Sequence, residues 1–203
     1  MNILYLSNNT GFDSLYFWIN KRKEVKSILY YSDKLNEIFL NKFKPDLIIS
    51  YGYRYIISGS IVKEYKNKIM NLHISYLPFN RGADPNVWSI LEGTTKGVTI
   101  HFIDEGIDTG DILFQKEVTY DEEENTLASS YNLLQYEIQQ LFKENWKEIV
   151  AFDYHIKKQI GLGTFHYVKD FNAIKDIILG DEGWNVSIIE AKNRYQNFLK
   201  EIL

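Results

Sequence analysis

Asn71 and His73 stand two positions apart in a run that is otherwise apolar, and a carboxylate-rich loop follows in the same stretch. On a strand, residues two apart point to the same face. A buried amide costs free energy unless it is hydrogen-bonded, so Asn71 between Met70 and Leu72 needs a partner or a task. Imidazole is the side chain whose charge changes near neutral pH, which makes His73 a candidate to take or give a proton. Asp108 lies 35 positions beyond His73, in a loop that also holds Asp104, Glu105 and Asp111. An amide, an imidazole and a carboxylate meeting at the ends of neighbouring strands would suit proton transfer supported by hydrogen bonds. Each has an ordinary reading too: His73 as a buried histidine satisfied by a carbonyl, and Asp108 as a turn former beside Gly106 and Gly110.

Other chemistries fit the spacing poorly. Counted from Asp104, the sixth and twelfth positions are Thr109 and Gln115, where a calcium-binding EF-hand needs glycine and glutamate. No histidine pair falls four apart as a zinc helix would require, so no metal is expected. Ser75 lacks the Gly-x-Ser-x-Gly frame of a serine nucleophile. The turn after the first strand has one glycine and no GxGxxG, a poor dinucleotide fingerprint. His101, in mid-strand, reads as structural and His155 as a surface residue. His166 divides between loop packing and substrate contact. Arg54 and Arg81, two of four arginines, fall in motif loops. A planar guanidinium suits phosphate, and for Arg81 a turn-stabilising hydrogen bond is the equal alternative.

The elements that must position these residues follow from the apolar runs. Residues 3–6, 27–31 and 46–50 read as short strands, with helices expected over 13–23, 34–43 and 60–67. Strands alternating with helices predict a parallel sheet with crossover helices, whose ligands sit beyond the carboxyl ends of the strands. The polar loops at 7–11 and 51–55 should lie on that edge. Pro78 ends the Asn71 strand, Arg81-Gly82 form a loop, and Asp84-Pro85 open a helix as N-cap and first residue. Residues 98–103 make another strand and 112–118 one more at the sheet edge. A long helix is expected over 126–150, its apolar stripe Leu127, Tyr131, Leu134, Ile138, Leu141 and Phe142 forming core or a subunit surface. A glycine-rich turn at 159–166 precedes two short helices around 180–184.

At 203 residues, 45% hydrophobic and 25% charged, the chain suits one globular domain with a short appendage. A net charge of −4 argues against bulk electrostatic binding of nucleic acid. Without cysteine there is neither a disulfide framework nor a thiolate metal site. The N-terminal apolar run reads as a strand and not a signal peptide. No run approaches the roughly 20 apolar residues that span a bilayer. No membrane partner is expected, and the cytoplasm is the default location.

The stretch 71–111 resembles the formyltransferases that use 10-formyltetrahydrofolate. It carries Asn71-x-His73, Ser75-x-Leu77-Pro78, Arg81-Gly82, Gly97-Val98-Thr99 and Asp108-Thr109-Gly110-Asp111 in the order of that family's pattern. The segment 81–86 with Trp88 looks most like the branch that formylates amino sugars carried on nucleotides. The resemblance implies an α/β fold, a mostly parallel twisted sheet flanked by helices as in a Rossmann-like formyltransferase core. It implies a catalytic domain over 1–150 with a C-terminal appendage over 151–203. It further implies transfer of a formyl group to the amine of a nucleotide-linked deoxyamino sugar, with Asn71, His73 and Asp108 catalytic. Asn71 would donate to the oxyanion of the tetrahedral intermediate, His73 would take the amine's proton or hydrogen-bond the oxyanion, and Asp108 would orient and charge-stabilise His73 or relay a proton through water. The backbone of Tyr53, Arg54, Tyr55 and Ile56 and the loop with Asp104, Gly106, Ile107 and Asp108 would hold the pterin of 10-formyltetrahydrofolate, with no metal. The acceptor would meet Arg81, Asn86, Gln159, Phe165 and His166, with Phe165 stacked on the base.

Several alternatives stay open. One is a hydrolase of 10-formyltetrahydrofolate with the same three residues, and another is a purine-precursor transferase. That second family has proline where Ile74 stands. A catalytically silent folate or nucleotide-sugar binder is the third. Transfer to initiator tRNA would call for a second, basic domain for which this length has no room. The partner expected is a small nucleotide sugar, not nucleic acid, and a homodimer is left open.

Overall fold

The computed structural model describes residues 1–9 and 13–202, with the side chain of Asp13 also outside the description. Thr10 and Gly11 of the expected N-terminal polar loop therefore lie outside the described residues. Six strands form one sheet: β1 (Asn2–Leu6), β2 (Ser27–Tyr31), β3 (Leu47–Ser50), β4 (Ile69–His73), and, after the two-residue β5 (Arg81–Gly82), β6 (Gly97–Phe102) and β7 (Ile112–Glu117). Their order is β2-β1-β3-β4-β6-β7. The pairs β1–β2, β1–β3 and β3–β4 are parallel, as alternating strands and helices lead one to expect. Every residue of β3 and the last four of β1 are buried, the pattern of strands covered on both faces. β7 is an edge strand of the sheet, as expected.

The chain divides into two compact units. The first comprises Met1–His73, Ile100–Phe114 and Phe142–Gln159, and the second Ile74–Thr99, Gln115–Leu141 and Ile160–Leu203. In the first, α1 (Asp13–Asn20), α2 (Glu37–Phe43) and α3 (Gly59–Glu64) connect the parallel strands. Leu4, Leu6, Ile48 and Ile69 from strands pack with Leu40, Ile61 and Val62 from α2 and α3. Asn36 caps α2 by accepting from Phe39 N at 2.9 Å, which starts that helix later than residue 34. The polar loops meet at the carboxyl edge of β1 and β3, where Asn8 N donates to Gly52 O and Arg54 N donates to Asn8 Oδ1.

In the second unit, α4 (Pro85–Leu91) packs with α7 (Val168–Asn172), α8 (Lys175–Leu179) and α9 (Ile188–Ile202) around Trp88, Leu91, Phe171, Ile178 and Ile188. The helix expected over 126–150 is two, α5 (Leu127–Glu144) and α6 (Trp146–Ala151), because Asn145 leaves helical geometry at φ −99°, ψ 16°. Leu127, Leu134, Ile138, Leu141 and Phe142 of its stripe are buried. Arg81-Gly82 is a strand paired in parallel with β8 (Phe165–His166), not a loop. Asp84 stands at the N-cap of α4 in left-handed geometry (φ 51°) and makes no side-chain cap. The last segment ends in a 15-residue helix where short ones were expected. Among the described residues, no helix is long and apolar enough to cross a membrane.

Candidate active site

β4 delivers Asn71 and His73 to one face of the sheet, as a period of two requires, and His73 is buried. Beyond β6 the chain makes a compact loop before β7. Asp104 Oδ1 accepts from Gly106 N at 3.1 Å and from Thr109 Oγ1 at 2.6 Å, closing the loop on itself. Gly110 lies so close to the Phe102 carbonyl that a Cβ there would overlap it, which explains a glycine at this point. Gln159 Nε2 donates to Asp108 O and to Gly110 O, both at 2.8 Å. Held in this way, Asp108 adopts a left-handed backbone (φ 52°), a conformation that aspartate visits more readily than most residues. Its side chain, 13% exposed, reaches the β4 pair: Asn71 Nδ2 donates to Oδ1 at 3.2 Å, and Oδ2 lies 3.7 Å from His73 Nδ1. An amide, an imidazole and a carboxylate thus converge within the first unit.

A second histidine joins them. His101, 1% exposed, sits with Nδ1 2.7 Å from Phe102 O. Its Nε2 lies 3.3 Å from Asn71 Nδ2 and 3.4 Å from Asp108 Oδ1. From sequence alone His101 reads as structural, and the fold instead sets it against the Asn71 amide. The available signal was the two-residue period of β6, usable only once β6 is known to run beside β4. Ile103 N donates to Ile69 O and His101 faces Asn71, so the two strands run in opposite senses.

The loops expected to hold a pterin also belong to this unit. Tyr53 Oη donates to Asp33 O at 2.6 Å and accepts from Leu35 N at 2.9 Å. Burial raises the pKa of its phenol. Arg54 is exposed, donates to Tyr55 Oη at 2.6 Å and lies 4.8 Å from the Tyr55 ring. Ile56 is 78% exposed and Ile107 is exposed as well. Among the described residues the backbones of Tyr55, Ile56 and Ile107 form no hydrogen bond. Glu105 ties the second loop to α3 through Lys63 at 3.0 Å. Exposed aliphatic side chains beside unengaged backbone donors and acceptors fit a flat heterocycle with a polar edge, such as a pterin. A cavity of about 290 Å³ opens beside these loops, with Val62, Lys63, Lys66 and Asn67 facing Phe102, Asp104 and Asp111. Asn71, His73 and Asp108 do not line it.

The residues expected at an acceptor divide differently. Gln159 belongs to the Asp108 loop, as described. Asn86 is buried, with Nδ2 donating to Leu127 O at 3.2 Å and Ser130 Oγ at 3.1 Å, so its amide hydrogens serve the packing of α4 on α5. Arg81 extends toward Leu162 O at 3.4 Å. Gly82, at φ 88°, lets β5 approach the His166 carbonyl where a Cβ would overlap it. Phe165 is partly exposed and meets Tyr167 edge-on at 4.6 Å. His166 stacks on Trp88 with 3.9 Å between ring centroids. Its Nε2 lies 3.0 Å from Glu92 Oε1 without hydrogen-bond alignment, so that contact is electrostatic. Among the described residues, no group of three or more His, Cys, Asp or Glu could hold a metal ion.

A family model described as "Formyl transferase" matches residues 20–144. Among solved structures, the formyltransferase PseJ from Anoxybacillus kamchatkensis, in complex with UDP-4,6-dideoxy-4-formamido-L-AltNAc and tetrahydrofolate, is 40% identical. It superposes with a TM-score of 0.84 over 97% of this chain and 100% of its own. The methionyl-tRNA formyltransferase of Alkaliphilus oremlandii is 33% identical over 165 residues, 78% of this chain and 49% of that protein. The bifunctional polymyxin resistance protein ArnA of Wigglesworthia glossinidia brevipalpis is 37% identical over 131 residues, 61% of this chain and 20% of that protein. The chain thus spans between a fifth and half of the length of these curated relatives.

Proposed function

Because the chain belongs to the formyl transferase family, we propose that it transfers a formyl group from 10-formyltetrahydrofolate to the amine of a UDP-linked 4-amino-4,6-dideoxy sugar. The observation that carries this reading is the 40% identity to PseJ over essentially the whole of both chains. That match covers 97% of this chain, whereas the family segment ends at residue 144 and leaves out the last stretch of the second unit. 10-Formyltetrahydrofolate would supply the formyl carbon, and attack by a neutral amine leaves negative charge on the formyl oxygen and a proton to be removed. Loops 53–56 and 104–108 hold the pterin through the unengaged backbone groups of Tyr55, Ile56 and Ile107 and the exposed side chains of Ile56 and Ile107.

His73 takes the proton from the amine, and Asp108, 3.7 Å from Nδ1, stabilises the imidazolium that results; His73 then gives the proton to the folate N10, so that the carbon–N10 bond breaks and tetrahydrofolate leaves as the formamide forms. Asn71 donates an N–H toward the formyl oxygen. Its two contacts at 3.2 and 3.3 Å are longer than the usual 2.9–3.0 Å or so, and a developing oxyanion is a stronger acceptor than either. Such a donor is typically worth about 10²–10³ in rate. Arg81 and Phe165 serve the acceptor, as a phosphate contact and a base-stacking surface.

A second reading has a specific observation behind it: the 33% identity to a methionyl-tRNA formyltransferase, whose acceptor is also a primary amine. One experiment decides between them. The protein is incubated with 10-formyltetrahydrofolate and either the UDP-4-amino sugar or methionyl-tRNA, and mass spectrometry follows the gain of one CO unit. Formylation of the sugar nucleotide, lost in a folded His73→Asn variant, is expected. Formylated methionyl-tRNA with an unmodified sugar would reverse the assignment, and free formate without acceptor would make the protein a hydrolase.

A further inference from the structure

We propose that His101 is a positioning residue that fixes which way round the Asn71 amide sits. The proposal rests on the assignment of Asn71 and Asp108 to the reaction and goes beyond it. An amide's nitrogen and oxygen are nearly the same size and opposite in hydrogen-bonding sense, so the pocket must distinguish them chemically. His101 Nδ1 lies 2.7 Å from Phe102 O, an acceptor, so Nδ1 carries the ring's proton. In the neutral ring the bond made by one nitrogen sets the state of the other, and Nε2 is left with a lone pair. That lone pair and Asp108 Oδ1, 3.4 Å apart, both face one atom of Asn71, at 3.3 and 3.2 Å.

Two acceptors require a donor bearing two hydrogens. The amide nitrogen meets that demand, and an amide oxygen in its place would confront two lone pairs with none to share. Asp108 alone selects the nitrogen with one hydrogen bond, and His101 doubles the selection. The nitrogen must face this way for Asn71 to turn one of these two N–H groups, not a carbonyl, to the formyl oxygen as its negative charge develops. At 1% exposure His101 does not meet substrate and acts through Asn71.

The test uses the full chain with 10-formyltetrahydrofolate and the UDP-4-amino sugar. His101→Asn keeps a donor near the Nδ1 position and removes Nε2. It should lower kcat about tenfold, the worth of one orienting hydrogen bond, while KM for the sugar and the folate-induced rise in Tm stay near wild type. His101→Gln, whose amide oxygen reaches the Nε2 position, should recover most of the loss. In an Asn71→Ala background, removing His101 should change kcat little further, since it acts through the missing amide. ¹⁵N NMR of the imidazole should show the Nδ1-protonated tautomer. Wild-type kcat in a folded His101→Asn, a His101→Gln no better than it, additive losses with Asn71→Ala, or an Nε2-protonated ring would each overturn the proposal. Should His101→Asn prove too unstable, His101→Gln and the NMR of the wild type still decide. If Asn71→Ala and Asp108→Asn themselves keep turnover, the catalytic assignment falls and takes this proposal with it. If those two lose turnover while His101→Asn does not, only the positioning role is lost.

Discussion

Replacing Gln159 by methionine asks whether the Asp108 loop must be held in place by side-chain bonds. Methionine is close to glutamine in length and lacks the amide donors. At least two hydrogen bonds would go, those to Asp108 O and Gly110 O at 2.8 Å each. A neutral intramolecular hydrogen bond contributes about 0.5–1.5 kcal/mol net. Gln159 is half-buried, so water replaces part of what is lost, and a combined cost of about 1–2 kcal/mol is reasonable. For a chain of this size each kcal/mol moves Tm by about 2–4 °C, which gives a fall of about 2–8 °C. The same loss bears on the site, because the two bonds brace the left-handed Asp108 (φ 52°). If they hold it against Asn71, losing about 1–2 kcal/mol lowers the competent population by up to about 5–30-fold, and single-turnover kcat should fall within that range. A lowered Tm with wild-type kcat would refute the bracing role, since the loop would then hold Asp108 unaided. A collapsed kcat with unchanged Tm would refute it differently and return Gln159 to direct contact with substrate.

Gly110→Ala should cost at least about tenfold in kcat and abolish the folate-induced rise in Tm, because its Cβ would overlap the Phe102 carbonyl and force the 103–111 loop away from β6; a variant with wild-type kinetics would show that the loop has slack. Asp84→Asn should raise Tm at pH 7. Burial pushes the Asp84 carboxyl pKa up, with partial relief from Lys175. The folded state therefore disfavours the charge, and the wild type loses stability relative to asparagine as pH rises from the ordinary aspartate value of about 3.9 through the raised one. The gap measured by thermal melts should close below about pH 4, and equal melting temperatures at pH 7 would contradict the buried-charge account.

β1 and β3 were legible in the sequence because their residues are buried on both faces, and a short apolar run between turn formers admits few other readings. The helix boundaries were less so. Asn145 interrupts α5 and α6 without the glycine or proline that would announce a break. The length of α9 was in fact on view. Ile188, Ala191, Tyr195 and Phe198 recur at helical spacing and face the core of the second unit, a signal that a reading for two short helices passes over. The β5–β8 pair was beyond local reading, since Arg81 and Phe165 are joined only by the folded chain.

For the candidate site, residue types told what each side chain needs, and the missing information was the neighbour. Asn71, His73 and Asp108 came into view through a family pattern. Their physics alone made them candidates but left equal room for Asp108 as an ordinary turn former and His73 as a satisfied core histidine. Asn86 and Gln159 are amides near a motif, which suggested ligand contact, yet their hydrogens go to Leu127 and Ser130 and to the carbonyls of Asp108 and Gly110. Those acceptors lie 40 or more positions away along the chain in every case, and nothing about an amide reveals a distant carbonyl. His101 is the sharpest instance. Its type and its place in a buried strand suit a structural residue, and it is buried as one. What changes its meaning is that β6 runs against β4, so that the Ile103–Ile69 backbone bond sets His101 opposite Asn71. Strand direction decides here whether a buried imidazole merely fills space or tells an amide nitrogen from its oxygen.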